Sequence, residues 1–412
     1  MSEETHDPFE AFDRSAGAGL VRDPYPRLAE LRARGPFHEG RLDEAFGLSV
    51  AMEASSPPSG CYFVALSYEA VTQVLLDGET FSSADYANSI GLVMGHSILE
   101  MDEPEHRRYR ELLQGAFTLK AMERWEQEVV APIIARRIDA FEARGAADLV
   151  REFTFPFPIE VIAAMLGLPE EDLPEFHRMA VELISIAADP ERGLLASQGL
   201  RDYFAVQLEQ RRSRPREDLI SMLAAAELDG AKLTDDEIFA FLRLLLPAGA
   251  ETTYRSSSNL LFGLLSNPDQ LEALRADRSL MRRTIEEGLR WEAPLISISR
   301  TTARDVEVCG TSIPEGSRIM VCVGAGNRDP ARWTDPDRFD IGREAKPHIA
   351  FATGPHTCLG LHLARMETRA ALDALLDRLP GLRLDPSAED IHITGLAFRA
   401  PRSLPVLFDP RS

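Results

Sequence analysis

Phe351-Ala-Thr-Gly354-Pro-His356-Thr-Cys358-Leu-Gly360 runs straight into a helical pattern from Leu361 to Leu379. The stretch sets one cysteine at the mouth of a helix, behind a glycine-containing turn, with a histidine and a phenylalanine nearby. A helix N-terminus carries partial positive charge and unpaired N–H groups, which favour a sulfur there as thiolate, the form that ligates metal. Two readings of Cys358 stand side by side: a small buried residue, the commonest fate of a free cysteine, or a metal ligand. The pattern F-x-x-G-x-H-x-C-x-G narrows the choice. Given about 400 starting points, its five fixed positions match by chance in on the order of one chain in ten thousand.

Upstream, Thr234-Asp-Asp-Glu237 is a capping box that opens the longest helical pattern in the chain, ending at Asn267-Pro268. About 31 residues at 1.5 Å each span roughly 46 Å, the width of a domain. Its middle, Phe241-Leu-Arg-Leu-Leu-Leu246, is apolar on nearly all sides and belongs in a core. Pro247 lacks an N–H and leaves the Arg243 carbonyl unpaired, while Gly249 lowers the cost of distortion, so a kink or opening is expected there. The stretch Leu246-Pro-Ala248-Gly249-Ala-Glu251-Thr252-Thr253 then reads in two ways. It is a packing kink with Thr252 bonded back to its own helix, or a groove for a small ligand lined by an acid and an alcohol.

The whole chain sets bounds. Its 412 residues, 44% of them apolar, can bury a large core, and a formal charge of -21 argues against nucleic acid and anionic membrane surfaces. The first eight residues lack a secretion signal and no run of 18 apolar residues occurs, so a cytoplasmic protein with no membrane anchor is expected. Cys61, Cys309, Cys322 and Cys358 are too scattered for a disulfide framework or a zinc pair.

Local patterns place the remaining elements. Pro24 to Arg34 and Tyr68 to Leu76 read as helices, Ala51 to Gly60 as an exposed loop and Cys61 to Leu66 as a strand. Ser82 to Leu99 has no clear period and reads as a mobile loop. Asp102-Glu103-Pro104 opens a helix running through Phe117, with Asp102 as the cap, and helical patterns continue to about Leu228. After a helix ending at Trp291, Val306, Val308, Ile319, Val321 and Val323 alternate as a small antiparallel sheet, and Ile391 to Leu407 as a hairpin. The class is mainly α with small antiparallel β-sheets.

The cysteine stretch resembles the haem-binding loop of the cytochrome P450 family, with Ala352 where that family usually carries glycine. The resemblance runs from about Pro8 to Phe408. It implies a single domain over 1–412, with its β-containing part at about 8–100 and 300–330 and its helical core at about 101–293 and 358–380. One haem b would lie between the long helix and the helix after the loop. Cys358 would be the iron ligand, with Phe351, Gly354, His356 and Gly360 shaping its loop and Ala248 and Gly249 facing the haem from the long helix. Glu251 and Thr252 look like the family's acid-alcohol pair, which steers protons to bound dioxygen: Thr252 would bond the ligand or its water, and Glu251 would connect that water to solvent.

Other residues take roles only through the same likeness. His106 and Arg110 share one helix face, a pattern that elsewhere is a solvated surface; here, with Arg300 and His356, they would hold the two haem propionates. E-x-x-R occurs at Glu209/Arg212, Glu272/Arg275 and Glu287/Arg290; position favours the last as a structural lock on Asn327-Arg-Asp-Pro330 and Arg338-Phe339. A substrate pocket is expected from Ile90, Leu92, Val93 and Met94, from Leu244, Leu245 and Ala248, from Leu295, Ile296 and Ile298, and from Leu396 and Phe398, though each could equally be core.

No arginine is evident there to hold a carboxylate, which points to a hydrophobic small molecule such as a terpenoid, steroid or other lipid. The resemblance implies a monooxygenase using dioxygen. With no dinucleotide, flavin or iron–sulfur fingerprint in the chain, a ferredoxin and ferredoxin reductase would supply electrons, docking near Arg107, Arg108 and Arg365. A peroxide-driven peroxygenase and a non-catalytic haem ligand-binding protein are the alternatives.

Overall fold

Phe63 and Ala65 alternate with Val64 and Leu66, and a period of two lets one strand serve two cores. The computed structural model describes residues 21–48, 57–187 and 189–410, so most of the loop expected at Ala51 to Gly60 lies outside the described residues. Strands β1 (Phe37–Glu39), β2 (Tyr62–Ala65), β3 (Phe81–Ser82) and β4 (Ile298–Thr302) join one sheet. β5 (Val306–Val308) and β6 (Thr311–Ile313) form a separate hairpin, and β7 (Arg318–Val321) returns to the first sheet, whose order is β1-β2-β7-β4-β3. Only the β2–β7 pair is parallel. Phe63, Ala65, Ile319 and Val321 pack on one side with Val71 and Val74, while Val64 and Leu66 pack on the other with Leu28 and Leu31.

The antiparallel sheet expected around Arg300 to Asn327 is therefore corrected. β5 and β6 pair as read, but Ile319 and Val321 join a five-stranded mixed sheet and Val323 begins the short helix Val323–Asn327. Alternation reveals a strand but not its partner, and here the partner lies at Tyr62–Ala65. The expected C-terminal hairpin forms between Ile393–Thr394 and Ala400–Pro401, while Pro405–Leu407 pairs instead with Ala146–Asp148 and Arg383–Leu384.

The helices that position the site are α1 (Tyr68–Leu76), α2 (Ile90–Met94), α3 (Glu105–Gln114), α4 (Pro156–Met165), α5 (Leu173–Ile184) and α6 (Pro190–Ser213). They continue with α7 (Asp235–Leu245), α8 (Thr252–Leu265), α9 (Met281–Trp291) and α10 (Leu361–Arg378). α2, a 3₁₀ turn at Ala84–Asn88 and β3 occupy the stretch expected to be a mobile loop. Asp102 does not cap α3: its carboxylate accepts from the Ser83 N–H at 2.9 Å and from the Ser82 hydroxyl, tying β3 to the start of that helix. Among the described residues no helix is long and apolar enough to cross a membrane.

The capping box forms as the sequence requires, with Glu237 N–H donating to Thr234 Oγ1 at 3.3 Å and Thr234 N–H to Glu237 Oε2 at 2.6 Å. α7 then opens at Leu246–Glu251 into a π-type turn before resuming as α8. Pro247 removes one N–H from the ladder, and the wider turn is the local solution. Polar residues follow it into the core. Ser258 donates to Tyr254 O at 2.9 Å, and Asn259 donates to Arg399 O at 3.0 Å, joining the long helix to the C-terminal hairpin.

Glu287 and Arg290 are both buried on α9 and meet at 2.7 and 2.8 Å. Arg290 also donates to the carbonyls of Asn327, Pro336 and Arg338 at 3.0, 2.8 and 3.2 Å, while Glu287 accepts from Asp340 N and Arg343 Nε. Asn327 Oδ1 accepts from Ile349 N at 2.8 Å, which carries the lock to the threshold of the cysteine loop. By contrast, the Glu272/Arg275 pair lies at the surface. Arg290→Leu takes from Glu287 its closest cation and from three carbonyls their donor, so urea denaturation is expected to show a loss of about 3–5 kcal/mol, against under about 1 kcal/mol for Glu272→Ala.

Candidate active site

The cysteine loop is built on two left-handed residues. Ala352 has φ 56° and Gly354 φ 78°, and the chain then closes through Thr357 N–H to Gly354 O at 3.1 Å and Cys358 N–H to Phe351 O at 2.9 Å. A Cβ on Gly354 would lie 2.2 Å from the Leu75 carbonyl, so glycine is what lets the loop press against the end of α1. Ala352, the residue that departs from the family pattern, adopts the strained conformation that glycine takes without penalty.

Cys358 lies two residues ahead of Gly360, the N-cap of α10. Burial pushes the Cys358 thiol up, while the Gly360 N–H at the helix end and the charges of Arg110 and Arg365 pull it down. Arg365 covers the Phe351 ring at 4.6 Å and donates to Glu286 through Nε and Nη2 at 2.6 and 2.8 Å. Glu286 also faces His348 Nε2 at 3.1 Å. Burial raises its pKa, but the hydrogen bonds of His348 and Arg365 outweigh that and hold it at about 2. This second brace was missed in the sequence because Glu286 reads as one more charge on an amphipathic helix.

Four basic side chains converge beside the loop. His106 and His356 stack with ring centroids 4.0 Å apart, and His356 Nε2 lies 3.2 Å from Ser83 Oγ. Burial and then the charges of Arg300, His106 and Arg110 push the His356 pKa down to about 3. Arg300 is buried and donates to its neighbour's carbonyl, Ser299 O, at 2.7 Å. Among the described residues no carboxylate stands within ion-pair distance of Arg110 or Arg300, although burial lowers the pKa of both. Concentrated positive charge without a carboxylate partner fits a dianionic group, and a sulfur beside it fits iron. The donor set therefore suits haem.

In the opened turn, Thr252 donates to Ala248 O at 2.8 Å, so the back-bonded arrangement and the widened groove occur together. Gly249 lies over Ile162 of α4, where a Cβ would approach Ile162 Cδ1 to 3.1 Å. Glu251, expected to connect a water to solvent, has a side chain that is 5% exposed and faces buried Arg255 at 3.4 Å. Burial pushes Glu251 up to about 7 despite Arg255. A second buried acid, Glu367 of α10, is raised to about 8 by burial, with a hydrogen bond from Thr253 opposing. The expected basic patch is also corrected. Arg107, Arg108 and Arg365 are matched by Glu103, Asp229 and Glu286.

The expected pocket residues divide. Leu244 is buried, Leu245 and Val93 are half-buried, and Leu295 bridges Phe398, whose ring lies 5.7 Å from the Arg255 guanidinium. Ile298 packs with the sheet, Ile90 packs against the main core and Met94 is buried within it. Two expectations fail. Leu92 is 75% exposed, since a five-residue helix must turn one side outward, and Ile296 and Leu396 are core residues beneath the sheet with Val64 and Leu66. Arg243 is the missed member. Buried on α7, it donates to Val93 O at 3.1 Å and Ser197 Oγ at 2.9 Å, clasping α2 and α6 together. An arginine inside an apolar run gives no sign of which carbonyls it will find.

A sequence model for the family described as Cytochrome P450 matches residues 196–386. The cytochrome P450 monooxygenase PikC of Streptomyces venezuelae is 35% identical over 401 residues, 95% of this chain and 92% of that protein. The structure of cytochrome P450 CYP109Q5 from Chondromyces apiculatus superposes with a TM-score of 0.84 at 35% identity, covering 95% of this chain and 97% of that one. CYP109E1 from Bacillus megaterium, solved in complex with testosterone, gives 0.82 at 30% identity over 94% and 99%.

Ala352→Gly relieves the left-handed strain but loosens the unfolded chain, and denaturation is expected to show a net gain of about 0.5–1 kcal/mol. Gly354→Ala is expected to abolish haem retention, measured as the Soret-to-280 nm ratio after purification. Glu286 has a depressed folded pKa, so its contribution is complete above the unfolded value near 4.5 and is lost as pH falls toward about 2. Glu286→Gln should flatten that acid limb in a melting-temperature series against pH.

Proposed function

The chain belongs to the cytochrome P450 family of monooxygenases, and we propose that it inserts one oxygen atom of dioxygen into an apolar small molecule of terpenoid, steroid or other lipid type, with electrons from a ferredoxin and its reductase. The observation that carries this reading is the gathering of His106, Arg110, Arg300 and His356 beside Cys358, where, among the described residues, neither Arg110 nor Arg300 has a carboxylate within ion-pair distance. Haem b, the family's cofactor, supplies oxygen activation and oxidation of a C–H bond when bound.

The protein's own part is holding, drying and proton delivery. Cys358 would ligate the iron, and the four basic residues would bind the propionates through charge-assisted hydrogen bonds. Phe351, Gly354 and Gly360 give the loop its shape. Thr252 already donates its proton to Ala248 O, so its oxygen remains an acceptor toward the opened turn, beside Ala248 and Gly249. Glu251 loses its proton near neutral pH, the range in which a general acid is most effective. Because its side chain faces Arg255, rotation of that carboxylate would be needed to pass a proton outward. Glu287 and Arg290 act at a distance, by holding the loop's approach.

Support for the substrate class comes from the apolar groups Leu244, Leu295 and Phe398, and from the relative solved with testosterone. Arg243 spends three of its five N–H groups on Phe239 O, Val93 O and Ser197 Oγ, which ties it to the packing of α2 and α6. Turnover with a ferredoxin system rather than with peroxide alone tests the electron source, and turnover only with peroxide would replace the proposal with a peroxygenase.

Cys358→Ser is expected to abolish the thiolate signature of the reduced carbon-monoxide complex. Thr252→Ala should leave haem and substrate binding intact while diverting electrons to peroxide, measured as product formed per NAD(P)H consumed. Glu251 ionises as pH rises through about 7, so wild-type coupling should decline above that pH. Glu251→Gln should lower the rate and remove the inflection.

A further inference from the structure

The connection between α2 and α3 sets one imidazole among carboxylates. His96 Nδ1 lies 2.6 Å from Glu100 Oε1, and its Nε2 lies 3.0 Å from Glu105 Oε1 at the start of α3. A neutral imidazole has a single N–H, so two ring nitrogens that each face a carboxylate oxygen call for the doubly protonated cation. Burial alone would lower the His96 pKa, but the hydrogen bonds of Glu105 and Glu100 outweigh it and raise it. Glu237 of α7 feels the same charge and accepts from Tyr109 of α3. The cations of these elements are engaged elsewhere: Arg108 pairs with Asp229, and Arg243, which comes up against Gly95, donates to Phe239 O, Val93 O and Ser197 Oγ. Glu100 is buried and presses on α2, where a Cβ on Gly91 would run into its Oε2. Glu100, His96 and Glu105 therefore bridge α2 to the helix that carries His106 and Arg110.

We propose that His96 is a pH-controlled latch on ligand entry to the haem cleft: the imidazolium holds α2 to α3, and loss of its proton releases α2 and opens that side. The inference rests on the haem reading given above. α2 suits the part, being five residues long with Leu92 turned outward and Val93 O held by Arg243 and Ser197. Of these ties only the His96 bridge can be broken by a proton. When that proton leaves, buried Glu100 loses its cation, and one ring nitrogen turns a lone pair towards a carboxylate, so one end of the bridge becomes repulsive. A group whose folded pKa is raised contributes fully below its unfolded value, about 6.5, and its contribution is lost as pH rises through the folded value. Entry is therefore slow in mild acid and faster in mild alkali.

Two measurements on the haem-loaded protein test the latch. NMR of the His96 ring in the reduced carbon-monoxide form, assigned by its loss in His96→Gln, is expected to give a pKa above about 6.5, and a value at or below that would overturn the proposal. Stopped-flow binding of cyclohexyl isocyanide, neutral throughout, is expected to accelerate about threefold or more between about pH 6 and pH 9, with its midpoint at the His96 pKa. His96→Gln should bind at the fast rate across that range, and His96→Lys, which keeps its cation, at the slow rate. Glu251 and Glu367 titrate in the same window, and His96→Gln separates them because their contribution survives in that variant. A flat wild-type profile, or one of unchanged amplitude in His96→Gln, would overturn the latch. Failure of the haem reading shows itself differently, as a missing Soret band in the wild type.

Discussion

All five N–H groups of one guanidinium are used within the protein. Arg290 gives two to Glu287 and three to the carbonyls of Asn327, Pro336 and Arg338. That complete satisfaction is what makes a buried ion pair tolerable, since each unpaired donor would leave a desolvation cost uncompensated. The same short helix and its C-cap hold two more anchors. Glu286 binds the loop side through Arg365 and His348, while Glu292, at its C-terminal end, gathers Tyr25, Arg328 and Arg399 from both ends of the chain. The approach to the cysteine loop is anchored because α9 is fixed on several sides.

Electrostatics divide between the outside and the cleft. A chain with a formal charge of -21 concentrates positive charge where a dianionic cofactor must bind, while the exposed arginines around the loop are neutralised by neighbouring carboxylates. Long-range attraction of a negatively charged electron donor is therefore weak, and recognition would depend on short-range complementarity. Buried acids behave oppositely from one another for a plain reason. Glu286 meets two basic partners and stays ionised, whereas Glu367 meets only a hydroxyl and is pushed up to about 8.

What could be read from the sequence was local. The loop motif around Cys358, the capping box at Thr234 and the Pro247 break each act within a few residues, and all three produce the backbone that their residue types require. Even the weakness at Ala352 was visible, as alanine in a place made for glycine. Pairings across the chain were not visible. Nothing near Ile319 points to Phe63, nothing near Arg243 points to Val93, and neither Leu92 nor Ile296 reveals which way it faces until its neighbours are in place. Glu251 belongs to the same group: nothing in the sequence marks Arg255, one turn on, as its buried partner.

The parallel pairing of β2 with β7 has a consequence for how the protein is made. Tyr62 pairs with Arg318, 256 positions later in the chain. At roughly 5–20 residues per second, a ribosome needs about 13–50 s to supply that partner after β2 emerges. During this interval β2 can pair only with β1, leaving its other edge and the Phe63–Val64–Ala65 core unprotected. Chaperone cover over that window therefore bears on the yield of soluble protein.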